Sequence, residues 1–96
     1  MSDLYDEQRR EGAAMIVSEA HRMADAKGIK LTSSTFDGGL PLKNRDAHIL
    51  TLATGGKAVE VRFSDEMLAD FPGGVGTRPT LDKILIGINE LAAVCF

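Results

Sequence analysis

Hydrophobic and polar positions alternate most cleanly over Ile49-Leu50-Thr51-Leu52-Ala53-Thr54 and Lys57-Ala58-Val59-Glu60-Val61-Arg62-Phe63, on either side of Gly55-Gly56. A period of two marks strands, and adjacent glycines supply the positive φ angles of a two-residue type I′ turn. Folding the chain there sets Leu52 opposite Val59, Leu50 opposite Val61 and His48 opposite Phe63. Thr51 then faces Glu60, and Ile49 faces Arg62, on the other side. One face is nearly all apolar and the other mostly polar, a match that a one-residue slip destroys. A hairpin is expected.

Upstream the period changes. Ala13, Ile16, Val17, Ala20, Met23 and Ala24 recur at i, i+3, i+4 and i+7 spacing, which predicts a long amphipathic helix over Asp3 to Lys27. Asp6 with Arg10, Glu19 with Arg22 and His21 with Asp25 are expected to pair on its solvated face. Gly28 supplies a left-handed closing residue, with Ile29 folding back on Met23 or Ala24. Gly12 interrupts the helix-forming run and is tolerable where another backbone packs closely.

Ile29 to Phe36 reads as an edge strand with a polar Lys30-Thr32-Ser34 face. Asp37-Gly38-Gly39 turns the chain, Leu40-Pro41-Leu42 reads as a short irregular strand, and Lys43-Asn44-Arg45-Asp46 as a loop. After Phe63, Ser64 is an N-cap with Asp65 and Glu66 at the positive end of the helix dipole. That helix must stop by Phe71, because Pro72 follows. Gly73 to Pro79 reads as a flexible connector, and Thr80 as the cap of a last helix. In it Leu81, Ile84, Leu85, Ile88, Leu91, Ala92 and Cys95 keep helical spacing. The order α-β-β-β-α-α predicts one α+β domain over 1–96. Its three-stranded antiparallel sheet carries the first and last helices on one face and leaves the other wet.

Composition adds mainly exclusions. A hydrophobic fraction of 44% and a charged fraction of 26% suit a 96-residue globular chain. A net charge of -3 argues against general binding to nucleic acid or an anionic membrane. The single cysteine, Cys95, excludes an internal disulfide and a cysteine-cluster zinc site. The acidic start Ser2-Asp3 to Asp6-Glu7 is unlike a signal peptide, and no apolar run is long enough to span a membrane. A cytoplasmic location is expected.

The candidate chemistry is sparse. The loop Gly73 to Thr80 leads into a helix N-terminus, the setting in which anions bind. Gly74, Gly76, Thr77, Arg78 and Thr80 are its candidate ligand-binding residues. Thr77-Arg78 stands where a P-loop has Lys then Ser or Thr, and Pro79 where a dinucleotide fingerprint has its third glycine. A plain connector is the competing reading. His21 and Asp25 lack a third metal ligand, and His48 reads as a partly buried structural residue without a carboxylate partner. Ser33, Ser34 and Ser64 lack a nucleophile-elbow context, and Cys95 reads as a buried small hydrophobe. No catalytic residue, metal or cofactor is expected. Ile86, Ala93 and Phe96 form a second apolar edge on the last helix, a candidate interaction surface, and Gly87 there permits close approach of another backbone.

The element order resembles the double-stranded-RNA-binding domain, whose last helix starts with basic residues. Thr80-Leu81-Asp82-Lys83 supplies a single lysine, so RNA binding is not expected. Ala47 to Phe63 together with Leu81-Asp82-Lys83-Ile84-Leu85-Ile86-Gly87 resembles a family of small uncharacterised proteins of unknown function from Burkholderia-type bacteria. That resemblance implies a small bacterial α+β domain and carries no site residues. The expected function is a non-enzymatic protein–protein interaction or self-association module, with a protein partner or a homodimer. The alternatives are a small ligand-binding protein or enzyme using the Gly73 to Pro79 loop, and a nucleic-acid module using Arg9, Arg10 and Arg22.

Overall fold

The Gly55-Gly56 turn forms with φ of 54° and 82°, and the strands it joins carry the predicted register. In the computed structural model, which describes residues 3–39, 42 and 46–95 and side chains over 6–39, 42 and 46–93, β2 (Ala47–Thr54) and β3 (Lys57–Ser64) pair antiparallel. Leu52 meets Val59, Leu50 meets Val61 and His48 meets Phe63. β1 (Ser33–Phe36) joins the other side of β2, with Phe36 on Leu50, so the sheet order is β1-β2-β3. β1 is shorter than the expected 29–36. Ile29 is taken into the helix closure before it, and Thr32 holds the Ala53 carbonyl through both its N–H (2.8 Å) and its hydroxyl (3.1 Å).

α1 (Asp3–Ala26) closes as its sequence requires. Gly28 has φ of 75°, its N–H donates to the Asp25 carbonyl (3.0 Å), and that of Ile29 donates to Ala24 (2.8 Å). Ala13, Ile16, Ala20 and Ala24 are buried, with Val17 and Met23 packed against them. α2 (Asp65–Asp70) starts on Ser64, whose hydroxyl accepts from the Met67 N–H (3.2 Å). Gly12 marks where α1 and α2 touch backbone to backbone. A Cβ there would lie 1.7 Å from the Leu68 carbonyl oxygen.

The C-terminal third departs from expectation. Phe71–Gly73 is a 3-10 turn, a further turn covers 74–76, and α3 (Thr77–Cys95) begins three residues before the expected cap. Pro79 fits the first helical turn, where an N–H would have no intrahelical acceptor. Thr80 is thus inside the helix and buried, its N–H (3.4 Å) and hydroxyl (3.1 Å) both on the Gly76 carbonyl. The buried stripe of α3 runs through Thr80, Ile84, Ile88 and Leu91, which leaves Leu85 39% exposed rather than inward. Gly87 serves the chain's own sheet and not a foreign backbone, since a Cβ on it would stand 2.4 Å from Val61 Cγ2.

α1 and α3 pack on the sheet face that carries Phe36, Leu50, Leu52, Val61 and Phe63. The Phe36 and Phe63 rings lie 5.9 Å apart, tilted by 53°. The expectations for Leu40-Pro41 and Lys43-Asn44-Arg45 fall outside the described residues, as do Phe96 and the side chain of Cys95.

Candidate functional site

Four ionisable side chains from four segments meet under the end of the sheet where α1 and α2 adjoin. Arg9 of α1 is 1% exposed and His48 of β2 is 0%. Arg9 donates to Asp65 through Nε (2.6 Å to Oδ1) and Nη2 (3.0 Å to Oδ2), a bidentate pair. It also donates from Nη1 to Asp6. His48 Nε2 is hydrogen-bonded to the same Asp65 Oδ1 (2.7 Å), and its Nδ1 to Asp37 Oδ2 (2.6 Å). Both ring partners are carboxylates. Asp37 reaches this position at a positive φ of 51°, which aspartate tolerates better than most residues, and its other oxygen accepts the Ile49 N–H (2.9 Å). The Asp65 hydrogen bond first, and the Asp6 hydrogen bond after it, raise Arg9 above the ordinary arginine pKa against the opposing effect of burial.

This network corrects the reading of His48, which is fully buried and has two carboxylate partners. It also corrects the charge pairs of α1. Asp6 pairs with Arg9, His21 shares a 3.0 Å hydrogen bond with Ser34 instead of Asp25, and only Glu19–Arg22 forms as expected. Arg9 is thereby withdrawn from any basic surface with Arg10 and Arg22. Its signal was present in the sequence, because positions 9, 13, 16, 20 and 24 form one continuous helical stripe. Among the described residues no group of three or more His, Cys, Asp or Glu is placed to hold a metal ion.

The residues of the Gly73 to Thr80 loop are not brought together around one point. Thr80 is buried with its hydroxyl on Gly76, whereas Gly76 and Arg78 are exposed. Gly74 and Thr77 turn towards a different feature, an apolar groove of about 630 Å³ between α1, the Phe71–Gly73 turn and the start of α3. Met15, Phe71, Pro72 and Leu81 form its apolar lining, and Glu11 and Glu19 stand on its α1 wall. Such a volume lies within the usual range of binding clefts. These residues were not singled out from sequence. Glu11, Ala14, Met15, Ser18 and Glu19 make a second, mixed stripe on α1, beside the one that faces the sheet.

The expected interaction edge of α3 is partly in view. Ile86 is 58% exposed and Ala93 is exposed, while Phe96 lies outside the described residues. A smaller crevice of about 200 Å³ separates this part of α3 from β3, with Glu60, Arg62, Lys83, Ile86 and Glu90 around it. Among the described residues no helix is long and apolar enough to cross a membrane. Set against protein-family models, curated proteins and solved structures, the chain matches none.

Proposed function

We propose that this chain is a non-enzymatic protein-interaction module whose working surface is the groove between α1 and α3. The observation that carries the reading is the combination of an open apolar floor with two carboxylates on one wall. Met15 is 39% exposed there, although the next residue, Ile16, is completely buried on the adjoining face of α1. Glu11 and Glu19 are eight residues apart on α1, roughly 12 Å along the helix axis. A partner helix with an apolar face and basic residues about two turns apart satisfies both the floor and the wall. The net charge of -3 favours the encounter with such a cationic segment.

The buried Arg9–Asp65–His48–Asp37 network supports a scaffolding role. Its side chains are enclosed, and each named contact is made inside the fold. The test is a titration of ¹⁵N-labelled protein with a synthetic amphipathic helix bearing leucines on one face and flanking lysines. Saturable shifts at the amides of Ala14, Ser18 and Thr77 are expected, weakened by Glu11→Lys with Glu19→Lys. The same peptide with glutamates in place of lysines is expected to bind far less. Groove amides unmoved at about millimolar peptide, a Kd weaker than about 4 kcal/mol of binding, would sink the proposal.

A further inference from the structure

β3 is an edge strand: β2 pairs with one side of it, and among the described residues no strand pairs with the other. In a hairpin closed by a two-residue turn, Thr54 and Lys57 form a hydrogen-bonded pair, and the pattern then alternates along the ladder. Val61 therefore directs its N–H and C=O inward to Leu50, while Glu60 and Arg62 direct theirs to the free edge. The crevice of about 200 Å³ between β3 and α3 opens along the same edge. Ile86, 58% exposed, stands over it, and Lys83 and Glu90 mark its two ends, roughly 10 Å apart along the helix axis. Its apolar part is thus one side chain long.

We propose that this edge takes an extended segment of another protein as a fourth, antiparallel strand, read through an acidic–apolar–basic motif. Each of the three positions is set by a different observation. A strand about 5 Å beyond β3 meets the outward main-chain groups of Glu60 and Arg62 and hydrogen-bonds to both. Cross-strand charge then calls for a basic residue opposite Glu60 and an acidic one opposite Arg62. The antiparallel direction puts the acidic residue first. The residue between them lies opposite Val61 and turns its side chain to the α3 side of the sheet, into the crevice beside Ile86. Valine suits that position, because Gly87 seats α3 closely on Val61 and leaves little height there. The same close seating excludes a second folded copy, whose own α3 would claim the space that the first already fills. The occupant is therefore a strand or tail with no helix over its inner face. This edge is separate from the groove and does not depend on the partner proposed for it.

The probe is the end-capped peptide Thr-Val-Glu-Val-Lys-Val-Thr, titrated into the ¹⁵N-labelled full chain. Saturable downfield shifts are expected at the amides of Glu60 and Arg62, which gain an acceptor. A smaller shift is expected at Val61, whose N–H is already held by Leu50. The same peptide N-methylated at its glutamate and lysine keeps every side chain but loses both donors, and is expected not to bind. Thr-Val-Lys-Val-Glu-Val-Thr sets like charges opposite Glu60 and Arg62 and is expected to bind about tenfold more weakly. Glu60→Arg together with Arg62→Glu, both at exposed positions, is expected to reverse that preference with unchanged circular dichroism. No saturable shift at Glu60 and Arg62 by about 1 mM peptide overturns the proposal. So does equal binding of the N-methylated peptide, or a preference between the two charge patterns that the folded double variant leaves unreversed.

Discussion

Asp65 is held by both Arg9 and His48 on a single carboxylate, so one side chain ties α1, β2 and α2 together. Asp65→Asn turns part of that acceptor into a donor facing another donor. Breaking a buried pair in this way costs about 3–5 kcal/mol, a large share of the stability of a small domain. Urea denaturation followed by circular dichroism is expected to show that loss. Arg22→Ala, which removes an exposed pair with Glu19, is expected to leave the urea midpoint unchanged. Arg9 itself adds no pH dependence in the ordinary range. A cation whose folded pKa is raised keeps its stabilising effect everywhere below its unfolded value, and for arginine that covers every usual assay condition. At this scale the network was not read from the sequence, although part of its signal was there. His48 opposite Phe63 already brings the chain after Ser64 to its side, which points to Asp65. Asp37 was hidden, because it depends on the β1–β2 register and on a left-handed residue that is not glycine.

Among the elements, the hairpin was the most legible, because period-two burial and a turn that tolerates only one loop length constrain each other. Leu52 is 0% exposed at the centre of the sheet, and its neighbour Thr51 points to the opposite, wetter face. Leu52→Asp is expected to unfold the domain, since an uncompensated charge there costs several kcal/mol. Thr51→Lys is expected to leave the melting temperature within a few degrees of wild type. A similar fall in both variants would mean that the faces are reversed. α3 was less legible. Its composition supports helix from 81 onward, but the choice between a Thr80 cap and a start at Thr77 turns on Pro79, which both arrangements accept.

For the whole molecule, what decides the surface is how α1 and α3 are rotated against α2 and the sheet, and a helical period alone does not specify that rotation. The groove and the free flank of β3 are consequences of it. Gly12 sets one part of the arrangement, and Gly12→Ala tests how much. Despite the better helix propensity of alanine, the added methyl meets the Leu68 carbonyl backbone and has no side chain to displace. A destabilisation of about 3 kcal/mol is expected by urea denaturation, at the upper end for overpacking. A stabilised variant would show that α1 can move away from α2 at little cost. The link between Arg9 and Asp65 also spans 56 positions of the chain. At roughly 5–20 residues per second of synthesis, Arg9 is made about 3–11 s before its acceptor. For that interval Arg9 has only Asp6 of its own helix as a counter-charge, and the sheet that covers the apolar face is incomplete. The buried face of α1 is therefore completed only after about two thirds of the chain has been made.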